Sequence, residues 1–162
     1  MNAESQGRKL NNPFAKLEGY NCFGCSPTNP IGLHLHFTEE GDEVIATWNP
    51  GTDYQGFFNI LHGGIQATLM DEIASWTVYV KAKTAGFTSS AEFRYLKTVG
   101  IDHGPLTLRS RLVQMRRNLA DIEVRLFNRD QEMCSTGNLT FFTFSKEKAR
   151  DNLYYPGEEE FY

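Results

Sequence analysis

The feature that most constrains the fold is the segment 64–80, which contains no lysine and no arginine. At about 100° per residue, Ile65, Leu69, Ile73 and Trp76 fall on one stripe of a helix, and Ala74 falls on the opposite side. A helix that is apolar around nearly its whole circumference is buried on nearly all sides. The segment therefore predicts one central helix, enclosed by other elements of the chain and by a second subunit.

Alternating apolar and polar residues predict strands on both sides of this helix. Two predicted strands precede it, and four follow it with hairpin-length connections. Strands followed by a helix and then by a run of strands are typical of an α+β fold, with an antiparallel sheet packed on the helix. The six predicted strands lie near residues 33–37, 44–48, 91–95, 106–112, 122–126 and 139–144.

Length and charge narrow the class of protein further. At 162 residues the chain is the size of one domain, which we place at residues 1–162. Residues 1–20 are expected to be a loose arm and residues 146–162 a C-terminal tail, whose acidic end at 158–162 is expected to be frayed. The net charge of −4 leaves no basic footprint for nucleic acid. No apolar run is long enough for a membrane span or a signal peptide, and three cysteines do not suggest a disulfide framework, so we expect a cytoplasmic protein.

Two carboxylates interrupt the apolar helix. Neither Asp71 nor Glu72 has a basic residue three or four positions away, so neither can pair with one on the helix. Burying an unpaired carboxylate costs several kcal/mol, which favours a functional role, above all for Asp71. Glu72 points in a different direction and is expected to reach solvent or to meet a strand arginine such as Arg94 or Arg109.

The residues His62, Gly63 and Gly64 come directly before the helix. Glycine lets the backbone approach a ligand closely, and the first N–H groups of a helix have no partner within it. These N–H groups are suited to bind a developing oxyanion. Asp71 lies two turns further on, roughly 10 Å along the axis. The separation predicts a site that is shared between two subunits.

Two segments carry a resemblance to a known family. The run FFNILHGGIQATLMDEIASW, residues 57–76, resembles the signature of the PaaI-type acyl-CoA thioesterases of the hotdog-fold superfamily, and residues 21–37 are similar to a segment that precedes it. The resemblance implies a sheet wrapped around a central helix and homodimers that pair sheet edges, sometimes as dimers of dimers. It also implies hydrolysis of an acyl-CoA thioester to the free acid and CoA, without a metal or an organic cofactor.

By position, the resemblance assigns the catalytic carboxylate to Asp71, as nucleophile or general base, and the group that polarises the thioester carbonyl to the N–H of Gly63. His62 is expected to orient the loop. Many relatives have Asn or Gln six residues before the histidine, where this chain has Gly56. The residues expected to contact substrate are Gln55 (preferred) or Asn59 in place of that amide, Gly64, one of Thr88, Ser89 and Ser90, and, for the CoA phosphates, Arg116 and Arg117, with Lys97 or Lys81 as alternatives.

Three other functions fit the sequence less well than thioester hydrolysis. Cys22 and Cys25, with His34 and His36 nearby, suggest zinc, but structural zinc sites usually combine two well-spaced pairs, so we expect no metal. A non-catalytic acyl-CoA-binding protein has no need of Asp71, and a hotdog dehydratase or hydratase spaces its histidine and acid differently. The acyl group stays open, because Trp76, Tyr79, Phe57 and Phe58 suit either an aryl or an aliphatic pocket.

Overall fold

A computed structural model describes residues 7–162. Seven antiparallel strands form one sheet in the order β1-β2-β3-β5-β6-β7-β4. Four of these strands are at least nine residues long, which gives the sheet long continuous ladders. The strands are β1 (Arg8–Lys9), β2 (Thr38–Glu40), β3 (Glu43–Trp48), β4 (Gly86–Tyr95), β5 (Leu106–Arg116), β6 (Leu119–Phe127) and β7 (Met133–Thr143).

The central helix α1 (Gly63–Thr77) packs against β3 to β7. It continues as a π-helical turn at Val78–Ala82 and ends at Lys83, whose backbone is left-handed with φ 57°. The prediction of one long helix on an antiparallel sheet is confirmed, and the fold is the hotdog fold. None of the helices within residues 7–162 is both long and apolar enough to cross a membrane.

Strand β4 forms one edge of the sheet, because it pairs with β7 and with no other strand of the described chain. Its side chains are exposed or half-buried along the whole strand. Proteins usually protect such a long free edge, since its unpaired backbone groups can pair with another chain. The edge of β4 is therefore open to pairing with another strand.

The predicted strand at 33–37 is wrong, although its burial pattern is right. Leu33 and Leu35 are buried and His34 is exposed, as the alternation indicated. The backbone of His34, however, has φ 53°, which a regular strand does not tolerate. The N–H groups of Leu33 and Leu35 donate to the carbonyls of the loop at 23–24 instead, and β2 begins later.

The prediction of a loose arm over residues 1–20 is wrong for residues 7–20, and residues 1–6 lie outside the described part. Beyond β1, a short 3₁₀ helix at Pro13–Lys16 follows, with Leu10 and Phe14 buried. The polar composition concealed these two apolar anchors.

The C-terminal tail is not frayed either. Helix α2 (Lys146–Leu153) is followed by a 3₁₀ helix at Glu158–Phe161, and the side chain of Phe161 is fully buried. Its ring packs 5.4 Å from that of Trp76 and 5.9 Å from that of Phe14, centroid to centroid. Both ends of the described chain thus cover the C-terminal half of α1. The acidic residues at 158–160 had suggested that the C-terminal end is solvated.

Candidate functional site

The start of α1 is fixed by two hydrogen bonds. The N–H of Gly64 donates to Nδ1 of His62 at 2.8 Å, so the histidine caps the helix with its own side chain. The hydroxyl of Tyr95, at the end of β4, donates to the carbonyl of Gly63 at 2.9 Å. Because Nδ1 accepts, a neutral His62 carries its proton on Nε2. The N–H of Gly63 has no hydrogen-bond partner within residues 7–162.

A cleft of about 660 Å³ opens at this helix start. The loop 55–62 forms one wall, and the chain from Tyr95 to Thr98 forms the other. Gly63 lies between them, with Gln66 and Lys97 as further polar groups. The size falls within the usual range for a small-molecule site, and the unpartnered N–H at its base is suited to bind a carbonyl oxygen.

The loop that forms the first wall is held by its own amides. The side-chain oxygen of Gln55 accepts the N–H of Asn59 at 3.0 Å, and the amide of Asn59 donates to Asp102 at 3.1 Å. This turn leaves Phe57 and Phe58 82% and 91% exposed. Gln55 and Asn59 therefore shape the cleft wall, and the side-chain oxygen of Gln55 already has a partner.

Gln66 is a polar residue of the cleft that the sequence interpretation missed. It is buried, and the hydroxyl of Ser135 on β7 donates to its side-chain oxygen. Its side-chain nitrogen has no hydrogen-bond partner in the described part of the chain. The available signal was an amide among the apolar positions of α1. Gln66, four residues after His62, therefore adds a side-chain amide to the cleft at a position different from the one expected from the relatives.

Asp71 lies on a different part of α1, beside β4. The hydroxyl of Thr88 donates to Oδ1 of Asp71 at 2.6 Å, and no lysine or arginine of the described chain forms an ion pair with it. Ser89 is the extra residue of a bulge between Thr88 and Ser90. Of the three hydroxyl residues considered, only Thr88 hydrogen bonds to Asp71 in the described structure.

One subunit does not bring Asp71 and the N–H of Gly63 together. Asp71 follows Gly63 by eight residues, roughly 12 Å along the helix axis, and it does not line the cleft. It belongs instead to a partly exposed strip of α1 with Gly64, Thr68 and Ser75. This carboxylate thus lies on a half-buried part of α1 beside β4.

Glu72 has a contrasting environment: it is half-buried, and the expected contact with a strand arginine is not formed. Its carboxyl oxygens lie 3.6 and 3.7 Å from the sulfur of Cys22, within hydrogen-bond distance for sulfur. Burial, followed by the neighbouring charge of Cys22, raises the pKa of Glu72 to about 7. The N-terminal segment at 21–37 covers this side of α1, which the helix pattern alone did not reveal.

The two thiols beside Glu72 differ in acidity. The pKa of Cys22 is lowered to about 5, chiefly by the Cys25 thiol that donates to it, with further help from the N–H groups of Cys25 and Gly24. The pKa of Cys25 is raised, because it supplies that proton and is buried. The zinc set considered from the sequence is not assembled: His34 bonds to the carbonyl of Asn29 instead.

The arginines proposed for the CoA phosphates lie at the end of the sheet opposite the cleft. Arg116 ends β5, where its Nε and Nη2 donate to Asp121 at 2.6 and 2.8 Å. Arg117 forms the following turn, with φ 57°. Along the sheet this hairpin pairs with the end of β7 near 142, whereas the cleft lies at the other end of β7 near 135. A single subunit therefore keeps both arginines away from its own cleft.

The two lysine alternatives also separate. Lys97 lines the cleft and pairs with Glu132, while Lys81 pairs with Glu39 on β2. Among the aromatic candidates for an acyl pocket, Phe57 lines the cleft. The suggestion that Trp76 and Tyr79 line it is wrong, because both rings pack in the aromatic cluster around Phe161.

Comparison with known proteins agrees with this fold. Residues 58–135 match the model of the family described as the thioesterase superfamily, a segment that runs from the loop before α1 into β7. The resemblance to hotdog thioesterases is confirmed at this level, while the PaaI-type subgroup stays a prediction. A search of curated protein sequences found no significant match.

Solved structures give the same fold at low sequence identity. A thioesterase superfamily protein is 23% identical with a TM-score of 0.70, over 75% of this chain and 59% of that one. A hypothetical thioesterase from Streptococcus pneumoniae, solved with coenzyme A, is 23% identical with a TM-score of 0.61, over 65% and 84%. A thioesterase from Haemophilus influenzae is 20% identical with a TM-score of 0.66, over 75% and 85%.

The Streptococcus pneumoniae protein has also been solved with one aspartate replaced by alanine and, separately, with one threonine replaced by alanine. The chain spans only 59% of the length of the thioesterase superfamily protein with the TM-score of 0.70. The activity of that whole protein therefore does not transfer to this chain directly.

Proposed function

We propose that this protein hydrolyses acyl-CoA thioesters to the free acid and CoA, with Asp71 as the catalytic carboxylate. The observation that carries the proposal is the half-buried Asp71 carboxylate of α1, held by Thr88 at 2.6 Å and paired with no cation in the described chain. A structural carboxylate would be expected to have a basic partner or full hydration. The oxygen that Thr88 does not bind is left to react.

The chemistry asks little of the protein. The N–H of Gly63 donates to the thioester carbonyl oxygen and stabilises the negative charge that develops there. Asp71 either takes the proton of an attacking water or attacks the carbonyl carbon itself, and the carbon–sulfur bond then breaks. CoA leaves as a thiolate, which is a good leaving group and needs no strong general acid. In the nucleophilic route, water must then hydrolyse the mixed anhydride of Asp71 and the acyl group to release the free acid. In a single turnover in ¹⁸O-labelled water, label found on the Asp71 carboxylate identifies attack by Asp71 followed by hydrolysis at the aspartyl carbonyl.

The catalytic unit is then a homodimer, which can pair further into a dimer of dimers, with each site formed by two subunits. Three features of the single chain support it. The edge of β4 is unpaired along its length, the strip with Asp71 is left partly exposed beside that edge, and about 12 Å of helix separates Asp71 from Gly63. Pairing of two β4 edges in a twofold dimer would set the Asp71 of one subunit against the cleft of the other.

A CoA ester as substrate is supported by the coenzyme A in the Streptococcus pneumoniae relative and by the PaaI-type signature. The polar end of such a ligand needs basic contacts, and Lys97 offers one at the cleft itself. Arg116 and Arg117 would have to come from another subunit. Charge reversal at Arg116 and Arg117 should raise KM for acyl-CoA but not for a short thioester mimic. The same pair of KM measurements with a charge-reversed Lys97 tests the contact from the subunit that forms the cleft.

The decisive experiment is a thiol-release assay over short, medium, long and aromatic acyl-CoAs, with the oxyanion donor removed by Gly63→Pro. Proline suits this position, because it is the first helical residue and His62 before it is extended, with ψ 133°. The change removes one N–H and should lower kcat by about 10²- to 10³-fold.

Gly63→Ala is the matched control, because its Cβ would lie 3.5 Å from the Tyr95 ring, an ordinary contact, and the N–H stays. It should retain most of the activity. Equal rates for the proline and alanine variants would contradict the assigned role of the N–H. Binding of every acyl-CoA without thiol release by the unmodified protein would favour the acyl-CoA-binding alternative.

A shared site can be tested by mixing two inactive variants, Asp71→Asn and Gly63→Pro. After dissociation and reassociation, each mixed dimer would contain one intact and one doubly altered site, so random mixing should restore about a quarter of the original activity. No recovery in mixtures whose mixed dimers are verified by mass would place both groups in the same subunit.

A further inference from the structure

A second cluster of reactive side chains lies on the other side of α1, outside the cleft and away from Asp71. The sulfurs of Cys22 and Cys25 and a carboxylate oxygen of Glu72 all lie within 4.8 Å of one another. The two cysteines occupy one tight turn, in which the N–H of Ser26 bonds to the carbonyl of Cys22 at 3.1 Å. The reaction proposed above uses none of these groups.

The turn is shaped around the carboxylate. A Cβ at Gly24 would lie 2.4 Å from the carboxyl carbon of Glu72, so only glycine allows this approach. No lysine, arginine or histidine of the described chain forms an ion pair with Glu72. The cluster therefore collects two thiols and a half-buried carboxylate with no cation, an arrangement that costs free energy unless a cation or protons neutralise it.

We propose that Cys22, Cys25 and Glu72 bind a zinc ion. Two thiolates and one carboxylate suit Zn²⁺ better than the harder Mg²⁺ or Ca²⁺, which prefer oxygen ligands throughout. The separations of 3.6 and 3.7 Å between the Cys22 sulfur and the Glu72 oxygens match the edge of a tetrahedron. That edge is about 3.5 Å when Zn–S is about 2.3 Å and Zn–O about 2.0 Å.

The surroundings of Cys25 fit a thiolate ligand. The Tyr20 hydroxyl lies 3.0 Å from its sulfur and the side-chain nitrogen of Asn12 lies 3.7 Å away, so both can donate to it. Such outer hydrogen bonds orient metal ligands and stabilise their charged form. Three protein ligands leave the fourth position to a water molecule.

The site would join the N-terminal segment to the central helix. Cys22 and Cys25 lie in the turn that covers α1, and Glu72 belongs to α1 directly after Asp71. Binding needs both thiols deprotonated, and the free energy of binding then adds to the stability of the folded chain. None of the three ligands lines the cleft, so the hydrolysis proposed above does not use this zinc ion.

The test is the metal content of the full-length chain after equilibration with buffered Zn²⁺ and gel filtration. We expect about one equivalent per chain, and Co²⁺ in place of Zn²⁺ should give the sulfur-to-cobalt charge-transfer absorption of a thiolate site. Cys22→Ser and Cys25→Ser should each abolish that absorption. Glu72→Gln should weaken binding by at least about tenfold, in line with the loss of a ligand.

Cys134→Ser is the matched control, because Cys134 is also a buried free cysteine but lies on β7. It should keep the full equivalent of zinc. Less than about a tenth of an equivalent of zinc in the unmodified chain would overturn the proposal. A Cys22–Cys25 disulfide, detected by mass spectrometry in protein purified under reducing conditions, would overturn it too. Both measurements use the unmodified chain and do not depend on whether a variant folds. Equal metal content in Cys22→Ser, Cys134→Ser and the unmodified chain would overturn it as well.

Discussion

The two adjacent carboxylates of α1 have opposite surroundings. Asp71 faces the edge strand β4, accepts one hydrogen bond from Thr88 and lies on a strip that the single chain leaves partly exposed. Glu72 is turned about 100° away, under the N-terminal segment, where burial and Cys22 raise its pKa to about 7. One acid is thus held at a surface that a second subunit would cover, and the other is enclosed within its own subunit.

The difference shows that the absence of a basic neighbour on the helix does not distinguish the roles of two adjacent acids. The helix pattern applies equally to Asp71 and Glu72, because neither has a cation at helical spacing. Their partners, Thr88 and Cys22, come from segments distant in the sequence. A functional role can therefore be assigned only when those segments are in place.

The largest expected effect separates the two carboxylates by activity. Asp71→Asn should lower kcat with acyl-CoA by about 10³-fold, because the amide can neither take a proton from water nor attack the carbonyl. Glu72→Gln should leave kcat within about threefold, since Glu72 does not contact the cleft. Thiol release measured beside circular dichroism and size on gel filtration checks both variants.

Two outcomes would contradict this assignment of roles to Asp71 and Glu72. Near-normal turnover by Asp71→Asn in a folded oligomer would remove Asp71 from the chemistry. A loss of the same size in Glu72→Gln, without loss of structure, would show that the enclosed acid participates too.

The next effect concerns the partner of Asp71. Thr88→Val keeps the shape of the side chain and removes the hydroxyl that holds Oδ1 at 2.6 Å. A hydrogen bond to a charged group contributes about 1.5–3 kcal/mol, so kcat should fall by about 10- to 100-fold while KM changes little. Thr88→Ser should recover most of the rate. If serine fails to rescue kcat, the role of Thr88 is packing rather than orientation of the carboxylate.

Most of the fold was predictable because its signals are local. The base-free helix at 64–80 and the period-two strands after it gave the α+β class, the antiparallel sheet and the four strands β4 to β7. Errors concentrate where non-local contacts decide. The left-handed backbone of His34 ended a pattern that reads as a strand, and Phe161 at the C-terminus is buried only because Trp76 and Phe14 meet it.

The candidate site was predictable in its parts and not in its assembly. The segment around His62 and Gly63 indicated an oxyanion site, and the cap of His62 on Gly64 is a contact between near neighbours in sequence. The choice of Thr88 over Ser89 depends on a bulge in β4, which the sequence does not reveal. Gln66 was missed because its partner, Ser135, comes from the other end of the chain.

A smaller effect tests how tightly Glu72 is enclosed. Gly24→Ala would place a Cβ 2.4 Å from the carboxyl carbon of Glu72, so the side chain or the turn must shift. Overpacking of this kind costs about 1–3 kcal/mol in the free energy of unfolding, measured by urea denaturation. Gly63→Ala on the Asp71 side has ordinary clearance and should change it little.

The double variant Gly24→Ala with Glu72→Ala is the control for this stability effect, because removing the carboxylate removes the clash. It should be no less stable than Glu72→Ala alone. If Gly24→Ala is as stable as the unmodified chain, the turn is free to move away and Glu72 is less enclosed than its contacts indicate.

The smallest expected change in kcat concerns the two serines that follow Thr88 on β4. Ser89 is the bulged residue directly after Thr88, and neither Ser89 nor Ser90 hydrogen bonds to Asp71 in the described structure. Ser89→Ala and Ser90→Ala should therefore change kcat by no more than about twofold, as exposed substitutions away from reacting groups usually do. The measurement is the same thiol-release assay, run beside Thr88→Val. A tenfold loss in Ser89→Ala would mean that the bulge rearranges when two subunits pair, and that Thr88 is not the only hydroxyl that serves the carboxylate.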